Sequence, residues 1–196
     1  MSINLKELAS EVHQISLDHG WWDKYDYWHD YYSSRCISDS NNPCPDILVA
    51  KLALIHSEIS EAYNEWTGEK TKLYYNPDRP DKPEGMIVEL ADALFRTLDV
   101  REHLGHRIRT PLEELVDYGK VSDPFCQMHC MVSNAVERLR RNDTHGMETH
   151  LGVLMELNCF YAYHFFGKSW EPFEKAIRVK MAYNKTREIR HGGKAL

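Results

Sequence analysis

The amino-acid sequence predicts an all-α protein: a four-helix-bundle core with an N-terminal helix and a C-terminal helix that runs into a basic tail. Three observations lead there. Apolar residues recur at helical spacing along most of the chain. No segment sustains the period-two alternation of a strand. Glycine or proline punctuates the segments at helical lengths. With 196 residues, the chain is long enough for one domain with a sizeable core, and residues 1–196 are read as one.

Ile3, Leu8, Val12 and Ile15 mark a first helix from Ile3 to His19, with Ser2 or Asn4 as its cap and Gly20 as its stop. Gly20–Tyr32 is dense in Trp and Tyr, residues that serve equally as core packing and as stacking surfaces for a nucleobase. Ser33–Pro45 is polar and broken by Pro43 and Pro45, hence a loop. Asp46–Thr67 is a strong helix closed by Gly68, with a broad apolar face through Leu48, Leu52, Ile55 and Ile59. Glu69–Gly85, with Pro77, Pro80 and Pro83, reads as a linker, either a solvated connection or a lid over a site. Glu84–Leu104 is the second strong helix, and Gly105 ends it.

Pro111–Tyr118 reads as a short helix, Phe125–Arg141 and Glu148–Phe166 as two longer ones. The last starts at Glu171, with Pro172 in its first turn, and runs to about Arg190. The halves look related: Ser57–Glu61 lies on Ser133–Glu137, and Val88–Asp92 on Met155–Cys159. The predicted arrangement is a first hairpin over 46–104, a second over 125–166 and a tail over 171–196.

The first hairpin carries the chemistry. Glu58 and Glu61, then Glu89 and Asp92, each stand three residues apart, on one helical face with Cβ atoms roughly 5–6 Å apart. Both pairs interrupt apolar faces, where carboxylates are rare unless paired or ligating. Four carboxylates aimed at one place need protons or cations. Hard divalent cations with oxygen ligands, such as Mg²⁺, match that donor set. The second hairpin has Asn134, Glu137, Glu156 and Cys159 at the matching positions, so only the first is expected to bind metal. A di-iron carboxylate bundle needs Glu-x-x-His on core helices, but the motif occurs here only at Glu188–His191, in the polar tail. Lys180, Asn184 and Arg187 form one stripe, followed by Arg190, His191 and Lys194, a cation set suited to polyphosphate.

The net charge of −6 argues against binding a nucleic-acid polymer. No apolar run reaches the roughly 20 residues of a membrane span, and no signal peptide is expected. Five cysteines without disulfide spacing point to reduced thiols and a cytoplasmic setting, and no second ligand pair completes a zinc site.

Glu58-x-x-Glu61 with Glu89-x-x-Asp92 resembles the metal motif of the all-α nucleoside triphosphate pyrophosphatases, the group of MazG-like proteins, dimeric dUTPases and dCTP pyrophosphatases. The tail from Lys180 to Lys194 resembles the end of MazG-like proteins, several of them phage-encoded, and Gly20-Trp-Trp-Asp23 resembles a segment before their first metal helix. Ser33–Pro45 and Arg107–Phe166 look like insertions relative to compact members. The resemblance implies metal-dependent hydrolysis of a (deoxy)nucleoside triphosphate to monophosphate and pyrophosphate. Glu58, Glu61, Glu89 and Asp92 would hold Mg²⁺ or Mn²⁺, with Glu58 as general base. Lys180, Asn184, Arg187, Arg190, His191 and Lys194 would bind the substrate, with Trp21 and Trp22 in the base pocket. It also implies a homo-oligomer such as a dimer, unless the second hairpin replaces a partner's helices. The alternative is a non-catalytic nucleotide-binding or regulatory bundle, motivated by the ligand-poor second hairpin.

Overall fold

One helix, Met86–His103, decides the architecture: 14 of its 18 residues are buried, so it must be covered on every side. A computed structural model describes residues 4–35, 42–108 and 123–188. In chain order the elements are α1 (Leu5–Asp18), α2 (Asp23–Ser34), α3 (Cys44–Thr67), β1 (Tyr74–Asn76), β2 (Arg79–Glu84), α4 (Met86–His103), α5 (Pro124–Arg140), α6 (Thr144–Phe165) and α7 (Glu171–Lys185). The fold is all-α, with α4 packed against α1, α3, α6 and α7.

Pairs of contacts give the chain directions. Glu58 meets Arg96 while Glu61 lies by Glu89, so α3 and α4 are antiparallel. His13 meets Asp99 and Ser10 meets Glu102, so α1 also opposes α4. Asn158 reaches the Leu90 carbonyl and Arg101 the Glu148 carbonyl, which sets α6 antiparallel to α4. Tyr161 bonded to Gln127 pairs α5 with α6. Helices α3 to α6 form the bundle, and one hydrophobic core takes residues from all seven described helices, from Leu5 and Tyr25 to Phe173.

Most predicted helix boundaries hold with small shifts, but α7 ends at Lys185, short of Arg190, and α2 is a helix that the apolar spacing did not announce. The Asn4 side chain caps α1 by accepting from Lys6 N, and Gly20 follows at φ 68°. Asp123 and Asp143 cap α5 and α6 in the same way. The α6 helix begins at Thr144, a turn earlier than the apolar pattern indicated, because the Asp143 cap comes before the apolar stretch. The predicted helix Pro111–Tyr118 lies outside the described residues.

The linker departs from the prediction of no strands. Its Tyr74 pairs with Glu84 and Tyr75 with Pro83 in an antiparallel ribbon. Alternation could not announce it, since β2 (Arg-Pro-Asp-Lys-Pro-Glu) passes from exposed residues to buried ones without alternating and holds two prolines. A two-stranded ribbon has an outer edge on each strand, where a missing N–H costs nothing. The turn is closed by Asn76 Oδ1, which accepts from Asp78 N at 3.0 Å.

The linker also caps α4. The Met86 and Ile87 amides, orphans of a helix start, donate to the Lys70 and Thr71 carbonyls at 2.9 and 3.2 Å. Gly85 makes the approach feasible: its φ is 119°, and a Cβ there would lie 2.2 Å from the Lys72 carbonyl oxygen. Gly85→Ala is therefore expected to cost about 2 kcal/mol or more, read as a lower urea midpoint at unchanged slope.

Candidate metal centre

Because α3 and α4 are antiparallel, the two i,i+3 pairs meet near the end of α3 and the start of α4. Carboxylate oxygens of Glu58, Glu61 and Glu89 lie within 4.8 Å of one another. Glu58 and Glu89 are only 6% and 4% exposed, and Glu61 forms the open rim. Asp92, the fourth predicted ligand, sits one turn further along α4 and links the cluster to α7. Its Oδ2 is 2.8 Å from Lys180 Nζ, and its Oδ1 accepts from Asn184 Nδ2 at 3.3 Å.

Burial and like charge work together here. Desolvation, with Asp92 and Glu58 adding repulsion, pushes the Glu89 carboxyl up to about 7 despite the opposing pull of Lys180. Glu58 is also raised, chiefly by burial, although Arg96 Nε donates to its Oε1 at 2.6 Å. Burial would lower Lys180, but Asp92 and Glu89 outweigh it and hold the ammonium above its ordinary value. Lys180 and Arg96 thus offset two of the four carboxylate charges. The remaining pair of negative charges lies on an all-oxygen donor set, in which Glu58, Glu61 and Glu89 could hold a metal ion.

The structure places the other predicted residues unevenly. Lys180 is 2% exposed and turned onto Asp92 and Glu89. It is a countercharge for buried carboxylates, where the sequence suggested a free phosphate ligand, because buried anions demand a partner first. Asn184 and Arg187 line a cleft of about 90 Å³ that runs from Asp92 and Arg96 between α1, α3, α4 and α7. Trp21 also lines this cleft. Trp22 does not: it is 0% exposed, stacked on His103 at 3.5 Å, and its Nε1 donates to Asp99 Oδ1 at 2.9 Å. Trp22 is a core residue with no face left for a base. Arg190, His191 and Lys194 lie outside the described residues.

Three participants escaped the sequence reading. Arg96 is one turn after Asp92 on the same stripe of α4, a legible signal. Lys51 and Asp99, both buried, interrupt the apolar runs of α3 and α4 as the glutamates do, and both face the cleft. In the second hairpin, Glu137 is taken by Arg140 and Arg141 at 2.6 to 2.9 Å, and their hydrogen bonds hold it down at about 2. Cys159 is fully buried, and burial pushes its thiol up to about 12. Among the described residues, the one group of three converging His, Cys, Asp or Glu side chains is Glu58, Glu61 and Glu89.

Comparison with protein-family models, with curated proteins and with solved structures finds no match. The functional reading therefore rests on the chemistry of the site.

The raised Glu89 carboxyl carries a stability signature. Its folded value of about 7 lies above its ordinary 4.5, so the metal-free fold loses stability as pH rises from 4.5 to 7 through this group, and the loss is complete above 7. Glu89→Gln removes it. With chelator present, the variant is expected to exceed the parent by roughly 3 kcal/mol at pH 8, with no such excess near pH 4.5, measured by urea unfolding at both pH values.

Proposed function

We propose that this protein hydrolyses a (deoxy)nucleoside triphosphate to the monophosphate and pyrophosphate, with Mg²⁺ or Mn²⁺ held by Glu58, Glu61 and Glu89. The observation that carries the proposal is the convergence of those three carboxylates beside Asp92, which with Arg96 and Arg187 lines the neighbouring cleft. The resemblance of the two motifs and the tail to MazG-like pyrophosphatases agrees with it.

A bound divalent cation supplies charge neutralisation at the phosphates and a more acidic water. The chain's own residues supply the rest. Glu58, with one oxygen fixed by Arg96, takes the proton of the water that attacks the α-phosphorus. Arg187 at the cleft wall, and Arg190, His191 and Lys194 beyond it in sequence, offset charge on the departing pyrophosphate. Asp92 draws Lys180 and Asn184 into the site. Asn184 Oδ1 is buried without a hydrogen-bond partner. A phosphate has only acceptors to offer it, so its partner is a hydroxyl of the sugar. Trp21 gives a wall to the base.

Each common nucleotide, incubated with Mg²⁺, tests the reading through release of monophosphate and pyrophosphate. Glu61→Gln is expected to lower kcat by 100-fold or more, since it removes a charged ligand from the rim and leaves the buried core intact. Turnover of no nucleotide, or turnover indifferent to Glu61→Gln, would sink the proposal.

Cation binding should also follow Glu89. Below pH 7 its proton must leave before the site fills, so Mn²⁺ affinity is expected to fall by up to tenfold per pH unit from 7 to 6 and to level off above 7.5. Titration calorimetry in buffers of different ionisation heat reads both the affinity and the released proton.

A further inference from the structure

A second set of ligand-type side chains lies where α3 packs against α5. His56 Nδ1 and His129 Nδ1 are 2.8 Å apart, and the two rings stack at 5.0 Å with 20° between their planes. Such a contact shares one proton: one ring donates its N–H and the other accepts on a lone pair. Burial lowers both rings below the ordinary histidine value, and His129 lowers His56 further. Both are therefore neutral at pH 7, the form that ligates metal. On α5, Cys126 stands three residues before His129 and Cys130 one after it, and both thiols are exposed. Cys126 and His129 are i,i+3 neighbours on one helical face. A side chain as long as that of His129 leans toward the turn before it, which is the turn of Cys126.

Along the chain, Cys126 and His129 lack a matching ligand. The fold supplies one, bringing His56 from 73 residues away. Imidazole and thiolate are borderline to soft donors, a set that suits Zn²⁺ and its transition-metal neighbours where carboxylates suit Mg²⁺. Two nitrogens on a tetrahedral Zn²⁺, each about 2.0–2.1 Å from the ion, lie roughly 3.3 Å from each other. The two Nδ1 atoms therefore need to part by only about half an ångström to hold such an ion. Among the described residues the thiols do not yet converge with the imidazoles. Recruiting Cys126 takes a rotation about χ1 and the loss of its proton, which a bound metal drives.

We propose that His56, His129 and Cys126 form a binding site for an ion of the Zn²⁺ class, which clamps α3 of the first hairpin to α5 of the second. The ion takes both Nδ1 lone pairs and the Cys126 thiolate. The proton shared between the rings moves to Nε2 of the ring that carried it, and the thiol proton goes to solvent. The fourth position, toward the exposed side of α5, is left to water. This site is separate from Glu58, Glu61 and Glu89, and it stands whether or not the proposed hydrolysis does.

The reduced full chain is titrated with Zn²⁺ by calorimetry and with Co²⁺ by absorption, in excess Mg²⁺, which competes at the carboxylates and not at imidazole or thiolate. Zn²⁺ is expected to bind and to raise Tm, as a ligand of the folded state alone must. Co²⁺ in its place is expected to show the intense visible bands of a tetrahedral ion and a thiolate charge-transfer band in the near ultraviolet. His129→Asn keeps an amide that can still bond to His56. It is expected to weaken Zn²⁺ by about 100-fold or more, since groups that merely orient a ligand are already worth roughly 10- to 100-fold. Cys126→Ser is expected to abolish the charge-transfer band. Because Cys126 is exposed, that variant keeps its fold and decides the matter even where His129→Asn does not fold. Absence of Zn²⁺ binding overturns the inference. So does Zn²⁺ binding that is unchanged in His129→Asn, which would place the ion elsewhere, and so does a Co²⁺ complex without the thiolate band.

Discussion

Negative charge inside a helical core is the condition to which the rest of this structure answers. Glu58 and Glu89 are buried, and Asp92 is within reach of both. Uncompensated, such a set would cost far more than a domain's net stability, which is of order 10 kcal/mol. Three responses are visible. Arg96 crosses from α4 to Glu58, Lys180 comes from α7 to Asp92 and Glu89, and Glu89 holds its proton to about neutral pH. The compensation stops short of neutrality, and a net negative charge is left on the carboxylate cluster.

Placing those groups requires α4 to be both central and polar at selected points. A helix covered on all sides cannot choose an exposed face for its charges, so each polar group on it is matched individually. Asp99 is met by Trp22 and His13, Arg101 by the Glu148 carbonyl, and Asp92 by Lys180 and Asn184. The β1–β2 ribbon belongs to the same system. It returns the chain from α3 so that Lys70 and Thr71 can cap the first turn of α4, the turn that carries Glu89. A residue with a side chain at position 85 would separate those pieces.

The helices were legible because apolar spacing and glycine stops report local geometry and burial together. Glu58, Glu61 and Glu89 were legible because they interrupt apolar runs in pairs. The ribbon was hidden, since its pairing relies on backbone hydrogen bonds and an Asn76 turn that leave no alternation in Arg79–Glu84. The fates of Trp21 and Trp22 could not be separated from their order in the chain. Adjacent residues at a helix entry point in different directions, and only the position of Asp99 and His103 sends Trp22 inward. Lys180 shows the same limit: its type fitted phosphate and carboxylate partners alike, and distance to Asp92 decided between them.

Helix α4 has a further consequence for how long the ligand set lasts. Segments open in order of how little holds them, and a helix walled in by α1, α3, α6 and α7 opens only with the whole molecule. Its amides should therefore be the slowest of the chain to exchange with solvent. The carboxylates of Glu89 and Asp92 ride on that backbone and inherit its lifetime.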